Sequence, residues 1–575
     1  MFSAKKSFFS PFKFLSNIFK KSMALRYPVE ENPVFDKFMF RGKLINDRDK
    51  CARCRTCAQI CLSGAIGFDR DGFPVIDYGK CSLCGLCVDI CTTGSLSMSS
   101  VRAQSVKSPV DKNGKNSKTA VFKNFYVPTL NELTREYGYF SEKADTLLSL
   151  NGVKTRKTDI KNRIQGFDTV KLGFETEEAV YEASRCVGCG KCVEACPAQI
   201  DIPVFIRAIW ENKPDYALRT LIAENPFSAV CGYICPRYCE KVCPLCKLGN
   251  RISIRMLERW VWDNATPDIK PKSPRLKGKT VSIIGAGVTG LCAGYYLSQK
   301  GYDVIIYETM DKIGGKLRYA TPQFRLPNTV LDFNLDIIRS SGVEIKNSVN
   351  MNKRLFSKIC LSDAVLIATG NSGSETMRIK GSETPGFFNA VPLMERIATG
   401  SDIPIGDKIL VIGSDDFAFD TARSLLRIQK IRKNRNEVSI ITAECRKSVP
   451  AQRDLVDEAI EEGVIIKSER LPAELIFDKS GKMFGVKSFR CVNPVSGEIN
   501  ADDVEIFSAD MIVETVNRNE KPDFLSFSDL KSDRYGLIRE PDNDNIFVAE
   551  SDDIINGIAL GKKSARLIDK FLKPA

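Results

Sequence analysis

Residues 279–308, KTVSIIGAGVTGLCAGYYLSQKGYDVIIYE, decide the fold of the larger part of this chain. The pattern predicts a strand, a glycine turn, a helix and a second strand that ends at Glu308. Gly285 permits the tight turn, Gly287 lets the backbone approach a pyrophosphate, and Gly290 lets the helix pack closely on the strand. Glu308 follows Gly290 by 18 positions, so its carboxylate is placed to hold ribose hydroxyls. The segment therefore predicts a dinucleotide-binding α/β domain.

The composition excludes several classes of protein. At 575 residues the chain is long enough for about three to five domains. Hydrophobic residues make up 43% and charged residues 27%, as in a folded protein, and no run of about 18 apolar residues is present to span a bilayer. There is no histidine, which excludes histidine-ligated haem, Rieske centres and nucleophile–histidine pairs. The chemistry is therefore expected to come from cofactors.

Two cysteine runs lie near the start of the chain, CARCRTCAQIC at 51–61 and CSLCGLCVDIC at 81–91. Each has the spacing C-x2-C-x2-C-x3-C, in which three thiolates of a tight loop bind one [4Fe–4S] cube and the fourth serves the other cube. Zinc binding or a set of buried thiols is the alternative. The predicted ligands are Cys51, Cys54, Cys57, Cys61, Cys81, Cys84, Cys87 and Cys91.

These runs, preceded by RYP at 26–28 and FRG at 40–42, resemble the two-cluster ferredoxin subunit of complex I and energy-converting hydrogenases. The resemblance covers about residues 26–97 and implies an α+β ferredoxin domain that lies against a membrane arm. The proline that usually follows the fourth cysteine is replaced by Leu62 and Thr92, with no ligand lost.

Two flanking segments are polar or basic. Residues 1–25 mix lysines with phenylalanines at near-helical spacing and predict a basic amphipathic helix for a membrane surface or a partner subunit. A frayed tail or an organellar presequence is the alternative. Residues 98–135 have no apolar periodicity and predict a linker.

A second set of cysteines lies in a segment with helical apolar spacing, which includes SRCVGCGKCVEAC at 184–196 and CGYICPRYCEKVC at 231–243. From about residue 136 to the C-terminus the chain resembles the glutamate synthase small subunit family, which shares its N-terminal domain with dihydropyrimidine dehydrogenase. The resemblance implies a helical domain at 136–273 with two [4Fe–4S] clusters, whose division among the cysteines stays open. Cys246 is a further thiol, either spare or a substitute ligand. By resemblance the ligands are Cys186, Cys189, Cys192, Cys196, Cys231, Cys235, Cys239 and Cys243.

The same resemblance implies that the first dinucleotide domain, residues 274–395 and 501–575, binds FAD. The fold class implied for this part of the chain is α/β, with two dinucleotide-binding domains of the glutathione-reductase type. KIGGKLRYATPQFRLP at 312–327, LIATG at 366–370 and IFVAESDD at 546–553 match family segments around the flavin. The residues placed near FAD by resemblance are Gly314, Gly315, Lys316, Leu317, Arg325, Thr369, Gly370 and Asp552.

The second dinucleotide domain, residues 396–500, departs from the family. Where the family has glycines that admit the NADPH pyrophosphate, this chain has Ser414 and Asp415, and the aspartate adds bulk and negative charge beside a phosphate. Where the family has two arginines for the 2′-phosphate, the chain has Ala443 and Glu444. NADPH is expected to fit poorly. The alternative is a tolerant site that still uses NADH or NADPH.

The formal charge of +13 falls to roughly +5 once four clusters of about −2 each are counted, so no nucleic-acid partner is predicted. Seventeen of the 21 cysteines lie between positions 51 and 246, which indicates a reducing and anaerobic interior. The remaining four, in apolar segments, are expected to be buried.

The sequence as a whole predicts an iron–sulfur flavoprotein that moves electrons between about four [4Fe–4S] clusters, or a ferredoxin, and FAD. We expect a cytoplasmic electron-wiring subunit of a larger redox complex with protein redox partners, peripheral on the membrane through residues 1–25; an anaerobic organelle is the alternative location. A self-contained NAD(P)H-dependent oxidoreductase and a non-catalytic scaffold are the alternative functions.

Overall fold

The protein was analysed as a computed structural model that describes residues 44–61, 63–69, 71–77, 81, 85–91, 93–98, 103–105, 122–124, 151–186, 188, 190–248, 251–266, 278–370, 379–515, 537–539, 545–549, 551 and 553–573. Three predicted site residues, Cys84, Cys189 and Asp552, and the N-terminal segment 1–25 lie outside these ranges. The chain divides into two compact units, Met1–Leu150 and Asn151–Ala575. Within the described residues no helix is both long and apolar enough to cross a membrane.

The first unit has the alternating short strands and helices of a two-cluster ferredoxin. Strands β1 and β4 pair antiparallel, as do β2 and β3, and each of these four strands buries its first residue only. A further antiparallel pair, β5 with β6, lies inside the predicted linker. The elements are β1 Leu44–Asn46, α1 Thr56–Ile60, β2 Ile66–Phe68, β3 Pro74–Ile76, α2 Leu86–Asp89, β4 Leu96–Met98, β5 Ala103–Ser105 and β6 Phe122–Asn124.

The second unit begins with the predicted helical domain. Its helices pack around apolar side chains that include the fully buried Phe205, Leu221 and Trp260. The helices are α3 Ile160–Arg163, α4 Thr176–Ser184, α5 Lys191–Ala195, α6 Ile202–Trp210, α7 Pro214–Glu224, α8 Ser228–Ile234, α9 Tyr238–Lys241 and α10 Ile254–Asn264, with a 3-10 turn at Pro244–Leu248 between the last two.

Two parallel sheets follow, because the chain alternates between buried strands and covering helices. The elements are β7 Thr280–Ile284, α11 Val288–Gln299, β8 Asp303–Tyr307, α12 Lys316–Tyr319, α13 Asn328–Ser340, β9 Glu344–Lys346, α14 Lys353–Ile359, β10 Ala364–Ile367, β11 Phe387–Asn389, α15 Ala390–Ala398, β12 Ile409–Ile412, α16 Asp416–Lys433, β13 Val438–Ile441, α17 Arg453–Glu462, β14 Ile465–Lys467, β15 Arg470–Phe477, β16 Met483–Asn493, β17 Glu498–Ser508, β18 Met511–Glu514, β19 Leu537–Arg539, β20 Ile546–Ala549 and α18 Ile554–Leu572.

The first sheet has the strand order β19-β20-β10-β7-β8-β9, parallel except for the edge pair β19–β20. The second has the order β11-β18-β12-β13-β14. The segment between β14 and β18 forms a separate antiparallel sheet, β15-β16-β17. Strands β10, β12 and β18 are buried throughout.

The second parallel sheet corrects the predicted bounds of the second dinucleotide domain. Strand β11 pairs with β18, and β18 pairs with β12 in the centre of the same sheet. The domain therefore draws on residues 387–389 and 511–514, outside the predicted range 396–500. This pairing joins segments more than 120 positions apart, so local sequence patterns do not reveal it.

Candidate functional site

The glycine turn after β7 has the geometry of a dinucleotide cradle. Gly285 has φ +103°, and a Cβ there would lie 2.4 Å from the carbonyl oxygen of Ala368. A Cβ on Gly290 would lie 2.1 Å from the carbonyl oxygen of Gly285. A Cβ on Gly287, in contrast, would meet no atom within 4 Å. Gly285 and Gly290 are therefore required by the protein's own packing, whereas Gly287 borders open space.

Helix α11 begins directly at this open space. Its N-cap is Gly287, and no side chain caps the first turn. The first backbone N–H groups of a helix have no partner within the helix and attract anions. The open space and the uncapped helix together fit a pyrophosphate.

Glu308 is fixed against the same turn. It is 9% exposed, and its Oε2 accepts a hydrogen bond from Ala286 N at 2.7 Å. Its Oε1 accepts a second from Met310 N at 2.9 Å. Each carboxylate oxygen accepts more than one hydrogen bond, so acceptor capacity remains for a ribose diol.

Gly314 and Gly315 pack against the glycine turn that follows β7. Gly314 N donates to the carbonyl oxygen of Ala286 at 3.0 Å, and a Cβ on Gly315 would lie 3.1 Å from Gly287 Cα. The predicted Lys316 and Leu317 begin helix α12 immediately afterwards. The backbone of Gly314 and Gly315 therefore lies against the dinucleotide cradle.

At the end of β10 a buried hydroxyl has no partner. Thr369 Oγ1 is buried and makes no hydrogen bond within the described part of the chain, and Gly370 follows it with φ +69° and open space on its Cβ side. An orphaned hydroxyl beside the cradle is consistent with a polar ligand there. The residues present therefore fit FAD.

Arg325 lies at the second dinucleotide domain. Its guanidinium is 2.8 Å from the carboxylate of Asp416 and also pairs with Asp420. Gln452 donates to Asp416 through its backbone N at 2.7 Å and its side-chain Nε2 at 2.6 Å. Burial opposes ionisation, but Arg325 and Gln452 hold the pKa of Asp416 below its usual value.

The corresponding turn of the second domain is filled by the chain itself. The N-cap of α16 is Asp415, and its Oδ1 accepts a hydrogen bond from Ala418 N at 2.9 Å. Ser414 Oγ donates to Glu444 Oε1 at 3.1 Å. Burial raises the pKa of Asp415. The carboxylates of Asp415 and Glu444 therefore both lie at this turn.

The ferredoxin unit gathers its cysteines in two loops. Burial raises the pKa of Cys57, and the nearby Cys54 and Cys51 raise it further. Cys61 Sγ accepts a hydrogen bond from Ala65 N at 3.2 Å. In the second loop burial opposes ionisation, but the hydroxyls of Ser95 and Thr93 lower the pKa of Cys91 to about 7. Such donors stabilise thiolates.

The helical domain separates its cysteines into two groups. The first group lines one cavity together with Gly190, Pro203 and Ile206, and Leu245, Ile252 and Ile254 make the rest of its wall largely apolar. The members of the first group are Cys186, Cys192 and Cys243.

The second group surrounds Cys235. Burial raises the pKa of Cys196 and Cys239, and the neighbouring Cys235 raises both further. A hydrogen bond with Cys235 and burial raise the pKa of Cys231, whose Sγ also accepts a hydrogen bond from Asn225 Nδ2 at 3.3 Å. The members of the second group are Cys196, Cys231, Cys235 and Cys239.

Cys246 belongs to neither group, because its Sγ donates to the carbonyl oxygen of Glu240 at 3.1 Å. Of the four cysteines predicted to be buried, Cys292 and Cys491 are buried. Cys360 is half-buried and Cys445 is exposed, so burial was the wrong prediction for Cys445, which lies in the turn after Glu444.

Sequence reasoning missed one residue beside the second group. Glu258 on α10 is 6% exposed, and its Oε1 makes no hydrogen bond with any described residue. Burial raises its pKa, and nearby Cys235 raises it further. The signal was present, since Ile254, Leu257 and Val261 form the buried face of α10 and helical spacing places Glu258 on that face.

Within the described residues no three Cys, Asp or Glu side chains gather as closely as a single metal ion requires. In a [4Fe–4S] cube each protein ligand binds a different iron.

Family models match three parts of the chain. A model described as dihydropyrimidine dehydrogenase domain II, 4Fe-4S cluster, matches residues 163–268. A model of an NAD(P)-binding Rossmann-like domain matches residues 283–348, and a 4Fe-4S dicluster domain model matches residues 47–107. The predicted cluster-binding domains and the predicted Rossmann domain are confirmed.

Among curated proteins, the chain is 32% identical over 432 residues to the NAD-dependent dihydropyrimidine dehydrogenase subunit PreT of Escherichia coli, covering 71% of this chain and 98% of PreT. It is 27% identical over 448 residues to the glutamate synthase [NADPH] small chain of Azospirillum brasilense, covering 70% and 90%. It is 33% identical over 322 residues to NADPH-Fe(3+) oxidoreductase subunit beta of Geobacter sulfurreducens, covering 54% of this chain. The match spans about half, 46%, of that last relative.

Proposed function

The chain belongs to the glutamate synthase small subunit-like family of FAD and iron–sulfur oxidoreductases, and we propose that it is an electron-wiring member that does not take its electrons from NAD(P)H. One observation carries this proposal. The helix that receives the FAD pyrophosphate begins at Gly287 without a side-chain cap, whereas the corresponding helix of the second domain is capped by Asp415.

The cap opposes a nucleotide in two ways. Asp415 already accepts the hydrogen bond of Ala418 N, so a phosphate would have to displace it. Its carboxylate and that of Glu444 would also repel the phosphate, by about 4 kcal/mol for two unit charges at 4 Å in a partly solvated site. Pyridine nucleotide binding is therefore disfavoured in the second dinucleotide domain, where the family resemblance implies it.

Seven cysteines of the helical domain, together with either Cys231 or Glu258, are the proposed ligands of its two clusters. Cys186, Cys192 and Cys243, with Cys189 of the same sequence run, form the first site. Cys196, Cys235 and Cys239 provide three ligands of the second site, and Cys231 and Glu258 compete for the fourth. Glu258 Oε1, which makes no hydrogen bond with a described residue, favours the carboxylate, since the Cys231 thiol already has Asn225 and Cys235 as partners.

The second group lies on the flavin side of the helical domain. Tyr238, between Cys235 and Cys239, donates its hydroxyl to Asp553 Oδ2 at 3.0 Å. Asp553 caps helix α18 and follows Asp552, the residue assigned to the flavin by resemblance. FAD, when bound, exchanges electrons singly or in pairs and so joins the one-electron clusters to two-electron carriers.

In this proposal electrons enter and leave the protein through the ferredoxin domain and protein partners. We propose a membrane-associated, hydrogenase-like or complex I-like assembly as the setting, with residues 1–25 as its basic contact. The resemblance of residues 26–97 to the ferredoxin of such complexes supports this setting. A self-contained NAD(P)H oxidoreductase is the second candidate, since relatives at 27–33% identity are named for NAD(P)H.

An anaerobic titration of the purified protein separates the two candidates. NADPH, NADH and a reduced ferredoxin are added in turn while the oxidised flavin absorbance is followed. Bleaching by ferredoxin alone is the expected result. Rapid bleaching by NADPH or NADH would overturn the proposal in favour of the self-contained enzyme.

The Cys54→Ser variant tests the ferredoxin assignment in the same preparation. Four cubes correspond to about 16 iron atoms per flavin, and loss of one cube to about 12. FAD content is expected to stay unchanged, and Cys246→Ser is the matched control with all its iron. Unchanged iron in Cys54→Ser would contradict the assignment of the first cysteine run.

A further inference from the structure

The first cluster loop of the ferredoxin unit has two arginines at the positions where the first cysteine loop of the helical domain has glycines. Arg53 and Arg55 have φ +55° and +65°. In the second loop Gly85, with φ +82°, is equivalent to Arg55, and Leu83 is equivalent to Arg53. In the helical domain both equivalents are glycines with positive φ, Gly188 and Gly190. A non-glycine residue in this region costs about 1–2 kcal/mol, so the first loop retains two arginines at a cost in backbone strain.

Aromatic rings hold both guanidinium groups at the surface. The Arg53 guanidinium lies 4.4 Å from the centre of the Phe73 ring, and that of Arg55 lies 5.3 Å from the centre of the Phe68 ring. Phe68 ends β2, and Phe73 precedes β3. Stacking of this kind fixes an arginine while leaving its N–H donors free to bind an anion.

The two arginines are exposed and surround an exposed ligand. Arg53, Cys54 and Arg55 are all exposed. A third arginine, Arg48, stacks on Phe73 but pairs with Asp69 at 2.6 Å. No ion pair of Arg53 or Arg55 is formed among the residues that the structure describes in this unit. Among the described residues, the surface over the first cluster loop therefore has two positive side chains that form no ion pair.

We infer that Arg53 and Arg55 form the docking site for a small acidic electron-carrier protein, which exchanges one electron with the cluster bound by the first loop. This inference rests on the proposed function and specifies its partner. Positive side chains around an exposed redox site attract an acidic carrier and raise its association rate by 10-fold to 1,000-fold at low salt. The carrier is oxidised by one electron as the cluster is reduced by one, and no atoms are exchanged.

The full-length holoprotein and its Arg53→Gln/Arg55→Gln variant are compared in stopped-flow experiments. One reductant is a reduced ferredoxin of net negative charge, and the other is the methyl viologen radical cation. The variant is expected to lose about 10-fold in its rate constant with ferredoxin at low salt, together with most of the salt dependence. Its rate with methyl viologen should not fall, and Arg53→Lys/Arg55→Lys, which retains both charges, should keep most of the ferredoxin rate.

A second variant controls for the possibility that the substitutions disturb the structure of the loop. Arg53→Gly/Arg55→Gly removes the charges and relieves the backbone strain, so it is expected to keep the cluster and show the same 10-fold loss. Equal slowing with both reductants would mean that the arginines act on the cluster itself, and would overturn the inference. Loss of binding to anionic lipid vesicles with an unchanged ferredoxin rate would identify a membrane contact instead and overturn it too.

The outcomes also separate this inference from the function on which it rests. If ferredoxin does not reduce the wild-type flavin at all, the proposed electron-wiring function fails. If ferredoxin reduces wild type and the Gln variant at the same rate and with the same salt dependence, only the docking site fails.

Discussion

Asp415 accepts a hydrogen bond from the backbone of Ala418, with 2.9 Å between Asp415 Oδ1 and Ala418 N. Gly287, at the same place in the first dinucleotide domain, has no side chain to offer the helix that it begins. One fold thus occurs twice in the chain with opposite electrostatics at the anion-binding end of its helix. The difference supports the proposal that the second domain does not bind a pyridine nucleotide.

Asp415→Gly/Glu444→Arg is expected to gain NADPH binding. The change removes both carboxylates and adds a guanidinium for phosphate, and an improvement of about 1.4 kcal/mol corresponds to a tenfold lower Kd. Replacing an aspartate N-cap by glycine costs only a few tenths of a kcal/mol, so the fold should persist. Fluorescence titration with NADPH measures the Kd, and Asp415→Asn, which keeps a capping side chain, is the matched control. Wild type binding NADPH as tightly as the double variant would contradict this explanation.

Glu308→Ala is expected to lower FAD retention. The substitution leaves Ala286 N and Met310 N without their acceptor and removes the carboxylate that we propose binds the ribose. Hydrogen bonds to a charged group contribute about 1.5–3 kcal/mol each. Flavin absorbance per protein after gel filtration reports the loss, with Glu344→Ala, on the edge strand β9 of the same sheet, as control. Equal flavin content in the two variants would remove Glu308 from the site.

Glu462 is expected to stabilise the second unit above about pH 4.5. Although burial opposes ionisation, Arg423 and Arg427 lower its pKa to about 2, and the ordinary value is 4.5. A pKa depressed by folding stabilises the protein above the unfolded pKa, and that contribution is lost as the pH falls from about 4.5 towards 2.

Glu462→Gln removes this contribution and leaves two buried guanidinium groups under-compensated, at a cost of about 3–5 kcal/mol at pH 7. The difference in unfolding free energy between variant and wild type should shrink by about 1 kcal/mol at pH 4. Urea unfolding followed by tryptophan fluorescence measures it, with the exposed Glu437→Gln as control. A difference that grows at low pH would show that the sign is wrong.

The parts of the site that sequence predicted are local in the chain. Gly285 to Glu308 form one strand–helix–strand unit, and each cysteine run forms one loop, so their spacing alone is informative. The division of the second cysteine set was not predictable, because Cys243 follows α9, and the packing of α9 against α5 brings it back to Cys186 and Cys192. The strand pairing of β11 with β18 and the exposure of Cys445 depend on tertiary contacts in the same way.

Glu258→Ala is the prediction that follows from such a tertiary contact. If Glu258 supplies the fourth ligand of the second group, its removal should alter the EPR spectrum or potential of that cluster, and iron should fall by up to about four per flavin. Cys231→Ser should keep that iron, because Asn225 and Cys235 already occupy the thiol. Glu258→Gln retains a carbonyl oxygen and should retain the cluster with a shifted potential. The opposite pattern, with iron lost in Cys231→Ser and an unchanged spectrum in Glu258→Ala, would return the fourth position to the cysteine.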